Sequence, residues 1–269
     1  MFNPQMGVSL HTLSFDINDS LVELVSKSGI KTLELFSRLF LENTDRVKAQ
    51  IHKFDKNALR VATIHSDFWG ADISSADDEA REKSIQSAFF SIELAVEFGA
   101  SAIVLHSSKE PIAPEERSIR KKYAADSLRI VSEQAASKGK KIAVELLPRT
   151  CLGNTVEELF ELTQGLSEDA VGFCLDTNHL MDKPFMLPDV AKTLGKRLIA
   201  THLSDYDGVD EKHQVPGTGV IEWGPFMEAL KEIDYQGPFN FECRFADTDD
   251  IAARIAMLES SYKMLAGYL

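Results

Sequence analysis

The sequence predicts an α/β protein with a single-domain (β/α)8 fold, the TIM barrel. Short runs rich in apolar and β-branched residues alternate with longer segments of helical periodicity, and each kind occurs eight times within 269 residues. Several short runs are apolar at nearly every position, which is typical of parallel strands covered by helices. No linker or low-complexity tract divides the chain, so we expect one domain over 1–269. A doubly wound open sheet is the alternative, but no G-x-G-x-x-G sequence follows a strand.

The predicted elements follow one another in strict alternation. The strands are expected at 7–10, 32–36, 61–66, 102–107, 142–147, 171–176, 198–204 and 239–244. The helical patterns lie at 20–29, 43–58, 76–99, 114–138, 155–165, 187–196, 223–233 and 247–266. The segment 76–99 begins with acidic residues and ends on Gly99, as helices often do, and 20–29 also ends on a glycine.

The charge and hydropathy of the sequence disfavour nucleic acid and membranes as partners. The 29 basic and 42 acidic residues give a net charge of −13, which disfavours nucleic acid as a partner, because phosphate contacts dominate its binding. The basic stretch 117–123 lies in a helical pattern and is interpreted as a solvated face. No apolar run approaches the ~20 residues of a membrane span, and the first residues lack the pattern of a signal peptide. We therefore expect a cytoplasmic protein without membrane contacts.

The pattern of the three cysteines is also typical of a cytoplasmic protein. Cys151, Cys174 and Cys243 are odd in number and show no C-x-x-C spacing, so they are interpreted as reduced thiols.

Acidic and histidine side chains recur near the carboxyl ends of the predicted strands, where the active sites of such barrels are built. In chain order they are Glu34, His65, His106, Glu145, Asp176, His179, His202 and Glu242. A polar side chain inside a strand costs free energy unless it is paired. Their recurrence is therefore more informative than any one of them.

Each residue also has a purely structural interpretation. Glu145 could pair with Arg149, and Glu242 could pair with Arg244. Asp176 could cap the following loop. His202 could be a core histidine with satisfied hydrogen bonds.

Four of these side chains form a ligand set when they are taken together. Glu145, Asp176, His202 and Glu242 come from the last four strands and offer three carboxylates and one imidazole. This set suits one divalent metal ion, namely Mn²⁺, Co²⁺, Mg²⁺ or Zn²⁺.

The chain resembles the xylose isomerase-like barrel superfamily, the sugar phosphate isomerase/epimerase group, over nearly its whole length. The stretches that carry the resemblance are V-E-L-L-P-R at 144–149, C-L-D-T-N-H at 174–179, T-H-L-S-D at 201–205, H-Q-V-P-G-T-G-V-I-E-W at 213–223 and F-E-C-R at 241–244. By similarity to the ketose 3-epimerases of this superfamily, the four ligands would hold one cation. Glu145 and Glu242 would also move a proton beside the carbonyl of a sugar or polyol ketone, through an enediolate.

The resemblance also implies substrate contacts. His179 would bind substrate oxygens, with Arg149 nearby, and the remaining expected contacts are His65, His106, His213 and Trp69. Trp69 follows strand 3, where it could form an aromatic wall or pack within its own loop. Members of the group are often dimers or tetramers, so a homo-oligomer remains open.

Two alternatives come from the same superfamily. One is a lyase or dehydratase that acts on a keto-sugar or keto-cyclitol, and the absence of an arginine in H-L-S-D-Y-D-G at 202–208 leaves the ketohexose assignment open. The other is an endonuclease-IV-type enzyme that cleaves DNA at abasic sites with three zinc ions. The residues that match its pattern are His65, His106, Glu145, Asp176, His179, His202, His213 and Glu242, and Glu211 stands where that pattern has Asp.

Overall fold

Eight parallel strands close into one barrel in chain order, which confirms the predicted single-domain TIM barrel. The structure is a computed structural model that describes residues 2–55 and 58–268. Its strands are β1 (Met6–Ser9), β2 (Thr32–Phe36), β3 (Arg60–His65), β4 (Ala102–Leu105), β5 (Lys141–Leu146), β6 (Val171–Asp176), β7 (Leu198–Leu203) and β8 (Phe239–Phe241). The extension of the domain over the whole of 1–269 stays a prediction.

The helices form the outer layer. They are α1 (Leu10–Leu13), α2 (Asp19–Lys27), α3 (Thr44–Ile51), α4 (Asp78–Phe98), α5 (Pro114–Ser137), α6 (Val156–Leu162), α7 (Leu187–Leu194), α8 (Trp223–Glu232) and α9 (Ile251–Ala266). Short 3-10 turns lie at Ser37–Phe40, Pro184–Met186 and Gly195–Arg197. Every residue of β1, β2, β4, β6 and β8 is buried, which explains why these strands contain so few polar positions.

The differences from the predicted boundaries have local causes. Helix α9 begins at 251 rather than 247, because the Asp250 side chain caps it by accepting from the Ala252 N–H. Gly99 takes the left-handed conformation (φ 76°) that ends α4, as expected, whereas α2 ends at Lys27, before the predicted glycine. Strand β8 ends at Phe241, three residues early, and α1 was missed because it has a single turn. The predicted helix 43–58 ends at Ile51, and part of its remainder lies outside the described residues.

Strand register places the polar residues of neighbouring strands side by side. Asp176 pairs in register with His202, and His202 pairs with Asn240. On the other side of the barrel, Ser9 pairs with Glu34. Register partners in parallel strands point to the same face of the sheet, so these side chains share the barrel interior.

The described part of the chain contains no helix that is both long and apolar enough to cross a membrane. The three cysteines are buried free thiols.

Candidate metal centre

The imidazole of His202 lies where the predicted ligands meet. Its Nδ1 atom is 2.8 Å from Glu242 Oε2, 3.2 Å from Glu145 Oε1 and 3.9 Å from Asp176 Oδ2. His202, Asp176 and Glu145 are buried, and Glu242 follows directly after β8 with its side chain 13% exposed. The barrel therefore brings together the four side chains that were predicted as ligands.

The other nitrogen of His202 faces a carboxylate inside the barrel. Nε2 is 3.1 and 3.2 Å from the two oxygens of Glu34 on β2. Glu34 also accepts hydrogen bonds from Ser9 Oγ (2.7 Å), Thr63 Oγ1 (2.8 Å) and Asn240 Nδ2 (3.1 Å). Burial lowers the pKa of His202, but the surrounding acidic groups outweigh it and raise the pKa well above the usual value. With Nε2 held by Glu34, a bound metal ion would take the place of the proton on Nδ1, which faces the three carboxylates. Sequence reasoning missed this role of Glu34, for which the signal was a glutamate in the middle of an apolar strand.

Two histidines from β3 and the β4 end flank Glu145. His65 Nε2 and His106 Nε2 are 3.3 and 3.0 Å from Glu145 Oε2. His65 Nδ1 is 2.8 Å from the Ser66 carbonyl oxygen, to which it can donate. Burial opposes protonation of His65, but the neighbouring Glu145 outweighs it and the pKa of His65 rises to about 9.

The possible metal ligands among the described residues form two adjacent groups. His65, Glu145, His202 and Glu242 make up the first, in which His65 joins three of the predicted ligands, and Asp176 belongs to the second. Atoms of Asp176, His179 and His213 fall within 4.8 Å of one another. His179 Nδ1 is 2.8 Å from the Leu146 carbonyl oxygen, and its Nε2 is 3.8 Å from both Asp176 and Glu211. His213 Nε2 lies 2.9 Å from Glu211 Oε1. Burial raises the pKa of Glu211, but His213 and His179 outweigh it and lower the pKa to about 2.

The carboxylates of the centre differ in their electrostatic state. Burial disfavours the charged form of Glu145, yet the His202 and His106 rings hold its pKa well below the usual value. His202 likewise lowers the pKa of Glu242 against the effect of burial. Burial raises the pKa of Asp176, and Asp176 Oδ2 has no hydrogen-bond partner among the described residues. A buried carboxylate oxygen without a donor is a position that suits a cation.

Arg149 does not pair with Glu145, so that structural interpretation was wrong. Its guanidinium group instead contacts three acids from the loops after β4 and β7, at 3.2 Å from Glu110, 2.8 Å from Asp210 and 2.6 Å from Glu211. Arg149 therefore joins two loops across the mouth of the barrel and orients Glu211.

The second proposed ion pair, between Glu242 and Arg244, is also absent. Glu242 lies 2.8 Å from His202 and 3.5 Å from His11 Nε2. The Arg244 side chain is exposed and has no ion pair or hydrogen bond among the described residues, while its N–H donates to the His213 carbonyl at 2.7 Å. Strand β8 has ended before these residues, so strand alternation does not place their side chains together.

A cavity of about 850 Å³ lies above the centre. All six residues predicted to contact substrate line it: His65, Trp69, His106, Arg149, His179 and His213. Asp176, Glu145 and Glu242 also reach its surface, whereas Glu34 lies deeper in the barrel. Phe15 and His11 complete one wall, and Phe15 was not among the predicted contacts.

The fold and the buried Glu/Asp/His cluster define a (β/α)8 barrel with side-chain groups compatible with metal binding at the carboxyl ends of its strands. The sequence profile of the Xylose isomerase-like TIM barrel matches residues 22–261. The chain belongs to this family.

The relatives in sequence are named for different activities, and some are uncharacterized. The inosose isomerase of Bacillus subtilis is 28% identical over 142 residues, 49% of this chain and 51% of that protein. The probable endonuclease 4 of a Sulfurihydrogenibium species is 23% identical over 88% of this chain and 92% of that protein. An uncharacterized protein of Sinorhizobium fredii is 29% identical over 69% of this chain and 58% of that protein. The chain thus spans only about half to two thirds of the first relatives that it matches.

Solved structures agree on the fold. A D-tagatose 3-epimerase-like protein superimposes with a TM-score of 0.81 over 98% of both chains, at 22% identity. A structure titled IOLI protein, with a binding zinc atom, superimposes with a TM-score of 0.79 over 98% of this chain and 99% of that one, at 20% identity.

Proposed function

We propose that this protein is a divalent-metal-dependent isomerase or epimerase of a sugar or polyol ketone. The observation that carries the proposal is the convergence of Glu145, Asp176 and Glu242 on one nitrogen of His202. The family supports it, because an inosose isomerase and 3-epimerases are among the relatives and similar structures.

The residues fit a divalent ion held by Glu145, Asp176, His202 and Glu242. Asp176 Oδ2 is buried and accepts no hydrogen bond among the described residues, so it has a lone pair free for a cation. Oxygen ligands with one imidazole suit Mn²⁺, Mg²⁺, Co²⁺ or Zn²⁺. A bound ion would stabilise negative charge that develops on the substrate oxygens.

The protein's own groups would move the proton. Glu145 and Glu242 are held in the ionised form, so either can accept a proton from the carbon beside the carbonyl. The other glutamate would return a proton, to the same carbon in an epimerase or to the neighbouring carbon in an isomerase. His179 fixes its Nδ1 on the Leu146 carbonyl and is left to contact substrate oxygens with Nε2.

Exchange of substrate hydrogen with solvent deuterium tests this proposal. Purified protein with Mn²⁺ or Co²⁺ should incorporate deuterium beside the carbonyl of at least one ketose or inosose in a panel. Glu145→Gln should abolish the exchange, and Glu157→Gln on the exposed face of α6 is the matched control. Full exchange in Glu145→Gln would refute the assigned role. Loss of water from the substrate would instead indicate the lyase or dehydratase alternative.

A second candidate, hydrolysis of DNA at abasic sites, is favoured by the ligand group of Asp176, His179 and His213. This group lies beside the first and would allow further ions to bind, and a probable endonuclease 4 is a relative. The net charge of −13 weighs against a DNA partner. Metal analysis separates the two functions: about one divalent ion per chain supports the isomerase, whereas about three zinc ions with cleavage of abasic-site DNA support the nuclease.

A further inference from the structure

The cavity extends well beyond the candidate metal centre. Its volume of about 850 Å³ lies toward the upper end of the range of about 300–1,000 Å³ that encloses drug-sized ligands. Glu145, with its side chain 1% exposed, lies at the floor, so a ketose that reacts there leaves the outer part of the cavity to another group.

Two exposed aromatic rings form the wall of that outer part. Phe15 and Trp69 are 55% and 48% exposed, and their rings stack with centroids 5.6 Å apart and planes 28° from parallel. We call this pair the aromatic platform. An exposed apolar surface inside a cavity marks a place where a ligand binds.

The Trp69 ring is held in its exposed position. The Trp69 backbone N–H donates to Asp67 Oδ1 at 2.9 Å, and the Trp69 ring packs edge to face with Phe36 at a centroid distance of 5.4 Å. The Arg38 guanidinium lies 5.5 Å from the ring centroid, in cation–π contact. The platform is thus built before any ligand binds, which lowers the entropic cost of binding.

A line of aromatic contacts joins the platform to the catalytic floor. His106 lies 3.0 Å from Glu145 and stacks on Phe68 with centroids 5.0 Å apart. Phe68 lies 5.7 Å from Trp69, which stacks on Phe15. Phe68 is stacked on both Phe36 and His106, so the aromatic surface left open to the outer cavity is that of the platform.

We propose that the aromatic platform binds a second sugar ring, so that the substrate is a ketose with a glycosidic substituent. This inference rests on the proposed function. A pyranose offers an apolar C–H face to an aromatic ring and hydroxyl groups at its edge, and Arg244, whose side chain has no partner among the described residues, offers donors at the same cavity. The acids Glu110 and Asp249 at this cavity are paired with Arg149 and Arg254, so the Arg244 guanidinium is left to contact a ligand.

Ketose disaccharides test the platform directly. The protein with Mn²⁺ is titrated with D-fructose and with turanose, maltulose and isomaltulose, which carry a glucose ring on different fructose oxygens. Isothermal titration calorimetry measures the affinity, because it reports binding equally in the original protein and in the variant that lacks Trp69. At least one disaccharide should bind about tenfold more tightly than fructose. Trp69→Ala should remove this difference, and Phe185→Ala, at an exposed ring outside the cavity, should keep it.

The outcomes test the second-ring site and the proposed isomerase function separately. Equal affinity for fructose and all disaccharides, no binding of any of them, or a disaccharide preference that survives in Trp69→Ala would overturn the second-ring site. Deuterium exchange into fructose without any disaccharide preference would leave the proposed function standing and remove this inference. Binding that depends on Trp69, without exchange into any ketose or inosose of the panel, would keep the site and refute the isomerase.

Discussion

Replacing Glu34 with glutamine tests whether a buried carboxylate sets the state of the histidine ligand. Glu34 Oε2 accepts from Thr63 Oγ1 and faces His202 Nε2 at 3.2 Å, while Oε1 accepts from Ser9 Oγ and Asn240 Nδ2. A glutamine keeps the shape but places an NH2 group where one oxygen was. Since Asn240 must donate on one side, the NH2 group of Glu34→Gln is expected to face His202.

The consequence is a change of tautomer. His202 Nε2 lies 3.1 Å from Glu34 Oε1 and 3.2 Å from Oε2, so the ring keeps one acceptor but loses the carboxylate charge and meets an opposing donor. We expect this to favour the tautomer with its proton on Nδ1, the nitrogen that would bind the metal beside Glu145 and Glu242. Loss of a carboxylate behind a metal-binding histidine typically weakens metal affinity about 10–100-fold, which equals about 1.4–2.7 kcal/mol. If the ring does not change tautomer, a buried donor is left unpaired at a cost of about 1–3 kcal/mol in folding free energy.

Calorimetric titration with Mn²⁺ or Zn²⁺ measures this loss, and the ¹⁵N chemical shifts of the His202 ring report its tautomer. Ser9→Ala is the control, because it removes one donor to Glu34 but leaves the contact with His202. The control should retain metal affinity close to that of the original protein. Unchanged metal affinity and an unchanged tautomer in Glu34→Gln, with the fold intact by circular dichroism, would refute the reasoning.

Three further predictions concern the centre and its surroundings. Mn²⁺ or Zn²⁺ at about a hundredfold over its dissociation constant should raise Tm by about 5–10 °C, since such binding contributes about 2.7 kcal/mol, and Asp176→Asn should lose most of this shift in a thermal melt. Burial raises the pKa of the Cys151 thiol to about 12, so iodoacetamide at pH 8 should leave the folded protein unmodified. In guanidinium it should alkylate all three cysteines, and rapid alkylation of folded Cys151 would contradict this prediction. Arg149→Met should speed hydrogen exchange in the loop 207–213 while lowering the unfolding free energy by only about 1 kcal/mol or less, because the pairs are partly exposed; unchanged exchange there would show that Arg149 does not restrain the loop.

The side chains whose positions follow from the strands could be predicted from the sequence. Asp176 and His202 were expected at a common rim because each closes a buried strand, and their register confirms that they are neighbours. Glu34 was noticed as a polar residue on β2, but its contact with His202 crosses the barrel interior to β7, and no local pattern reports a contact between residues 168 positions apart. The predicted boundaries of β1 and β8 also differ from those in the structure, because pairing across the closed barrel, rather than local propensity, decides where those strands end.

The loop conformations could not be predicted from sequence patterns. Arg149 and His213 adopt positive φ angles of 51° and 48°, which are uncommon for residues with a side chain and are stable only where surrounding contacts impose them. His213 is held through its carbonyl by the Arg244 N–H, and Arg149 is held by acids from two other loops. The side chains fixed by strand register are those that any reaction at this rim would use, whereas those that border the outer cavity depend on loop conformations. The candidate metal ligands could therefore be inferred from the strands, whereas the proposed substrate contacts depend on loop conformations, and Trp69 and Arg244 are the residues to test first.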